Sequence, residues 1–145
     1  MSNRKQLRIY GFVTTSALLV LFGGCAGYLR LGTTVVTDVV SPDEKWDALI
    51  TVRNGGAMTG YATAISMVSA HNPIARQAAL FGASHVLFVL DDNDGAVQVG
   101  ELGQLNVGAK WTSAASLIVT YPHKARILRQ NSSFRSLSIH YVPSE

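Results

Sequence analysis

The sequence predicts a mainly β protein: a small antiparallel β-sandwich or barrel with one short helix, preceded by an N-terminal hydrophobic signal or anchor helix. Three observations predict it. Beyond residue 32, short runs rich in β-branched and aromatic residues alternate at the period of a strand. Turn-forming clusters separate these runs at intervals of roughly 8–12 residues, the spacing of sandwiches and barrels. Ahead of them, residues 9–29 carry no charge and follow a basic leader. The organisation expected is a signal or anchor over residues 1–30 and a β-rich extracytoplasmic domain over 31–145.

The leader comes first. Arg4, Lys5 and Arg8 precede an apolar run that ends in Gly23, Gly24, Cys25, Ala26 and Gly27. A basic start, an apolar centre and a small-residue exit match an export signal, because basic residues stay on the cytoplasmic side while the apolar stretch enters the membrane. Three fates are open to it. Leu21 to Cys25 resembles a lipobox, which would make Cys25 the lipidated N-terminus, although Phe22 stands where Leu is usual. Retained as a helix, residues 9–29 would span about 31 Å, just enough for a bilayer core. Cleavage after Ala26 or Gly27 would release a domain without cysteine.

The elements of the body follow in order. Residues 33–40 and 46–53 read as strands joined by a Ser41-Pro42-Asp43 turn, in which Pro fixes φ and Asp bonds local backbone. Residues 61–69 alternate again, and the glycines of 55–60 predict a hairpin loop between these last two strands. Asn72 is placed to cap a helix over 74–81, Pro73 suits its first turn, and Gly82 closes it. Residues 84–90 are almost wholly apolar and predict a central strand. An acidic turn at 91–95 leads to a short strand at 96–99. Further strands are expected at 106–111, 116–121, 125–129 and 137–142, with Pro122-His123-Lys124 turning between two of them.

Composition narrows the function. Of 145 residues, 48% are hydrophobic and only 14% charged, against an ordinary charged share of about 25%. That excludes a highly charged disordered chain. The net charge of +3 belongs to the leader, since from residue 11 onward nine basic residues balance nine acidic ones. A nucleic-acid partner is therefore not expected, and the aromatic interleaving of such surfaces is missing. A single cysteine excludes an internal disulfide framework and a cysteine zinc cluster.

Motifs for chemistry are sparse. Asp92, Asp94, Gly95 and Glu101 fall on calcium-loop spacing only if Leu90 opens the loop, so an acidic turn is the better reading. His71, His85, His123 and His140 show no metal-ligand spacing, and neither a metal nor a cofactor is expected. Lys124, Arg126, Arg129 and Arg135 read as a solvated basic face. No nucleophile elbow, phosphate loop or dinucleotide fingerprint occurs. A hydrolase or transferase would need a set brought together by the fold, such as Asp91, His85 and Lys110. Arg53, Thr59, Tyr61 and Thr63 gather a guanidinium and hydroxyls near a glycine loop and form a candidate polar pocket. The alternative is that Arg53 stacks on Tyr61 or Trp46 and bonds loop carbonyls.

Ser41, Pro42, Asp43, Lys45, Arg53, Gly56, Ala57, Thr59, Tyr61 and Thr63 also carry a resemblance. They are similar to the pattern of a family of small bacterial exported proteins, as is the stretch 113–130, which resembles that family's penultimate hairpin. Gly55 departs from it, standing where the family tends to have Cys. The resemblance covers roughly residues 39–141 and implies an anchored or exported β domain without implying an activity. The function expected is a non-enzymatic cell-envelope protein, held at the membrane by its N-terminal segment, facing the periplasm or exterior and binding a protein partner. The rival is a structural subunit of a larger membrane assembly with the N-terminal helix retained.

Overall fold

The computed structural model describes residues 32–55, 60–82 and 85–145. The leader, with Cys25, lies outside the described residues, as do Gly56, Ala57 and Thr59. In chain order the elements are β1 (Thr33–Val40), β2 (Trp46–Asn54), β3 (Tyr61–Ser69), α1 (Pro73–Leu80), β4 (His85–Asp91), β5 (Gly108–Ser113), β6 (Ser116–Pro122), β7 (Arg126–Gln130), β8 (Ser133–Phe134) and β9 (Leu137–Ser144). The protein is mainly β with one short helix. β1-β2-β3-β4-β7 form an antiparallel five-stranded sheet, and β5-β6-β9-β8 form a four-stranded one. Neither sheet closes on itself into a barrel.

The expectation of purely antiparallel pairing is corrected in the second sheet, where β6 and β9 run parallel from Ser116 opposite Ser138 to Pro122 opposite Ser144. A second correction concerns the turn at 122–124. It forms, but it carries the chain from β6 in one sheet to β7 in the other, so the two strands make no hairpin. A third is the strand expected at 96–99, which does not form. Asn93, Asp94 and Gly95 all take positive φ, and Val97 N donates back to Asp92 O. That winds the chain away from β4, whose two edges are already paired with β3 and β7.

The inner face of the first sheet follows from strand alternation. Ala48 and Ile50 of β2 lie opposite Met67 and Ile65 of β3, and all four are buried. They meet Leu117, Val119, Leu137 and Ile139 of the second sheet in one continuous core. A bulge in β4, between its pairings at Phe88 and Val86, turns both Leu87 and Phe88 into that core. A second bulge at Val36 in β1 adds Val36 to the same side.

α1 covers part of the outer face of the five-stranded sheet, where Ala79 packs on Leu49 and Val68. It starts as the sequence predicts: the Asn72 side chain accepts from the backbone N–H groups of Ile74 and Ala75, both at 3.0 Å. Among the described residues no helix is long and apolar enough to cross a membrane.

Candidate functional site

The described residues enclose a cleft of about 650 Å³. One wall is the connection between β4 and β5, residues 92–107; the other is the turn at 122–124 with the end of β9. The parallel register of β6 and β9 creates the second wall, because it brings the C-terminal ends of both strands to one rim. There the His123 backbone N–H donates to Ser144 O at 3.0 Å, and the Ser144 hydroxyl donates to Tyr121 O at 3.1 Å.

The long connection has no regular structure, yet it is anchored. Leu105 is buried in the core and its N–H donates to the Thr63 hydroxyl at 2.9 Å. Gly103 sits at φ +80, so close to Tyr61 that a Cβ there would meet ring carbon Cδ1 at 2.3 Å. Gly100 and Gln104 close a tight turn through Gly100 N to Gln104 O at 2.8 Å, while the Gln104 side chain accepts from Leu102 N at 2.9 Å.

A charged clamp ties β7 to β4 and to the acidic turn that leads into the cleft loop. Arg126 grips Asp91 with Nε and Nη2, the shortest bond being 2.7 Å, and reaches Asp94 with Nη1 at 3.3 Å. Asn93 Nδ2 donates to Lys124 O at 3.2 Å beside it. Burial works to raise the Asp91 carboxyl. The hydrogen bonds from Arg126 and the Asn93 amide, with the Arg126 charge, outweigh it and hold the carboxyl below its ordinary value.

The lining is chemically mixed. Val36, Val97, Val99 and Val107 supply apolar surface. Gln98, Gln104 and Asn106 supply amides that donate and accept, and Lys124 and Glu145 put one charge of each sign at the margin. Such a surface suits a ligand with a repeating pattern of donors and acceptors and an occasional apolar side chain, which describes an extended peptide.

The sequence-predicted residues fall as follows. Tyr61 and Thr63 lie opposite Asn54 and Val52, on the inner face, while Arg53 lies opposite Ala62 on the outer face. The sheet therefore does not bring Arg53 together with Tyr61 and Thr63. Those two instead support the loop that walls the cleft. The cation over Trp46 is Arg135, 4.9 Å from the ring centroid, in a left-handed turn at φ +53. Asp91 and His85 sit at opposite ends of β4, about 20 Å apart at strand rise. Lys110 is exposed on β5 in the other sheet, so this trio forms no site. The acidic turn converges on Arg126, and among the described residues no group of three or more His, Cys, Asp or Glu is placed to hold a metal ion.

Sequence reasoning missed the cleft itself. Gly100 and Gly103 were its available signal, since two glycines bracketing a non-repeating segment mark a loop that approaches other backbone closely. No family model, curated protein or solved structure matches the chain.

Proposed function

We propose that this chain is a non-enzymatic cell-envelope protein, anchored at the membrane through its N-terminal segment, whose β-sandwich domain holds an extended segment of a protein partner in the cleft. The observation that carries this reading is the composition of the cleft: amides of Gln98, Gln104 and Asn106 interspersed with the apolar surface of Val36, Val97, Val99 and Val107. A reaction centre would need titratable groups converging on one point. Of the titratable residues that line the cleft, His123, Lys124 and Glu145, His123 has its Nδ1 3.1 Å from Ser144 O, and Asp91 and Asp94, outside the lining, are bound to Arg126. The anchor rests on the basic leader, the uncharged run and Cys25, and the resemblance to small exported proteins agrees with it.

The test compares two chains in the native envelope. Val99 is partly exposed on the cleft loop, so Val99→Asp places an unpaired charge in the cleft without entering the core. Quantitative co-purification from solubilised membranes should show a defined protein retained by the parent and lost at least tenfold in Val99→Asp, with unchanged thermal unfolding. Equal recovery with both chains would contradict the reading. Labelled palmitate should mark the parent and not Cys25→Ala if the anchor is a lipid.

A further inference from the structure

We propose that the end of the β domain at which Gly32 continues back into the N-terminal segment rests on a zwitterionic lipid surface, with Tyr61 and Leu102 as the side chains that enter the headgroup layer. The proposal rests on the reading of the N-terminal segment as a membrane anchor and adds to it an orientation and a second contact. It does not depend on what occupies the cleft.

Strand register assembles this rim. The Asn54 N–H donates to Gly32 O at 2.7 Å, and Asn54 lies opposite Tyr61 at the mouth of the β2–β3 hairpin. The Gly55 N–H donates to Gly60 O at 2.8 Å and closes that mouth. Gly103, the residue after Leu102, lies against the Tyr61 ring. Gln104 holds the same loop in place, its carbonyl accepting from Gly100 N and its side chain from Leu102 N. Gly32, Tyr61 and Leu102 therefore share one end of the domain. Tyr61 is 42% exposed and Leu102 50%, and both stand outside the lining of the cleft. The opposite end is remote, because β3 runs from Tyr61 to Ser69 before α1 begins, a distance of about 26 Å at strand rise.

Chain length says what covers the rim. Exposure alone does not choose an end, since Ile74 at the far end is 79% exposed. The tether does. An extended chain covers at most about 3.6 Å per residue, so Gly32 lies within about 11 Å of Leu29, the last residue of the uncharged run. The headgroup layer is about 5–7 Å deep on each side of the hydrocarbon core. With residues 9–29 in the bilayer, Gly32 is held at the lipid surface. With Cys25 lipidated instead, the seven residues to Gly32 reach about 25 Å, and the same rim is the tethered one. The side chains suit that place. Tyr61 has an aromatic body and a hydroxyl tip, the type that settles at a membrane–water interface, and Leu102 adds an aliphatic group. The hairpin loop, residues 55–60, is Gly-Gly-Ala-Met-Thr-Gly and brings no charge. Arg53 beside Asn54 and Glu101 beside Leu102 are of opposite sign, so the contact does not call for anionic lipid.

The test places the full chain in phosphatidylcholine nanodiscs that contain a lipid spin-labelled at its headgroup, and reads the paramagnetic broadening of assigned methyl resonances. Broadening should be at least tenfold greater for Leu102 than for Ile74. A tether without contact would also bring the rim near the label, so a variant separates the two. Leu102→Glu changes an exposed side chain and leaves the backbone bond to Gln104 in place. It should lower the broadening of the Val99 methyls, on the same loop, at least twofold while the chain stays on the discs. Equal broadening of Leu102 and Ile74 on loaded discs, or a Leu102 signal untouched by the label, which would leave the rim to a protein or to water, overturns the proposal and spares the anchor. Val99 broadening unchanged in Leu102→Glu also overturns it, as a tether alone. A chain that does not load onto discs at all defeats the anchor reading, and the proposal with it.

Discussion

Thr63 shows how one residue changes meaning between sequence and structure. Its hydroxyl looks like a ligand contact in sequence, beside Arg53 and Tyr61. In the fold it is buried and accepts the N–H of Leu105, fixing the cleft loop to the core. Thr63→Val keeps the shape and leaves that N–H unsatisfied, so unfolding by urea should reveal a loss of about 1–3 kcal/mol. Charged residues make an opposed pair of predictions. Asp91 has a depressed folded pKa, so its contribution is present above the unfolded value of about 3.9 and is lost as pH falls through the folded one. The deficit of Asp91→Asn should be complete at pH 7 and shrink below about pH 4. Asp47 has a raised folded pKa, so the folded state takes up its proton first and gains stability as pH falls from neutral. The parent should therefore gain on Asp47→Asn between pH 7 and about pH 4, by denaturant titration at both values. These partnerships were not legible in the sequence. Arg126 meets Asp91 and Arg76 meets Asp38 and Asp47 across separations of 29 to 38 positions, and no spacing rule reaches that far.

At the scale of elements, legibility followed local physics. β1 and β3 begin and end where alternation predicts, and Asn72 caps α1 as its sequence context requires. α1 is short and covers Leu49 and Val68, so its cap matters: Asn72→Ala should cost about 1 kcal/mol in chemical unfolding. Failure came where the chain follows long-range pairing. Residues 96–99 alternate like a strand, but both edges of β4 are taken. β6 and β7 flank a short turn like a hairpin, yet β7 completes the other sheet. The two-residue β8 is too short to leave a periodic signal. The parallel register of β6 with β9 is invisible to period-two alternation, which is the same in parallel and antiparallel strands, and that register builds one wall of the cleft.

For the whole molecule, the proposed function rests on the basic and apolar N-terminal segment of the sequence and on the cleft of the β domain. Charge balance beyond residue 11 and the low charged share argued for a domain that acts by contact. On the proposed function, that contact would take place in the cleft, with valines facing apolar side chains and amides facing a backbone. The central claim is that a protein partner sits there in the envelope. Photo-crosslinking in intact cells tests it most directly, with a photoreactive phenylalanine at Val99 in the cleft loop or at His140, exposed on β9. A discrete protein adduct from position 99 alone is predicted, whereas no adduct from position 99, or the same adduct from both positions, would contradict the account.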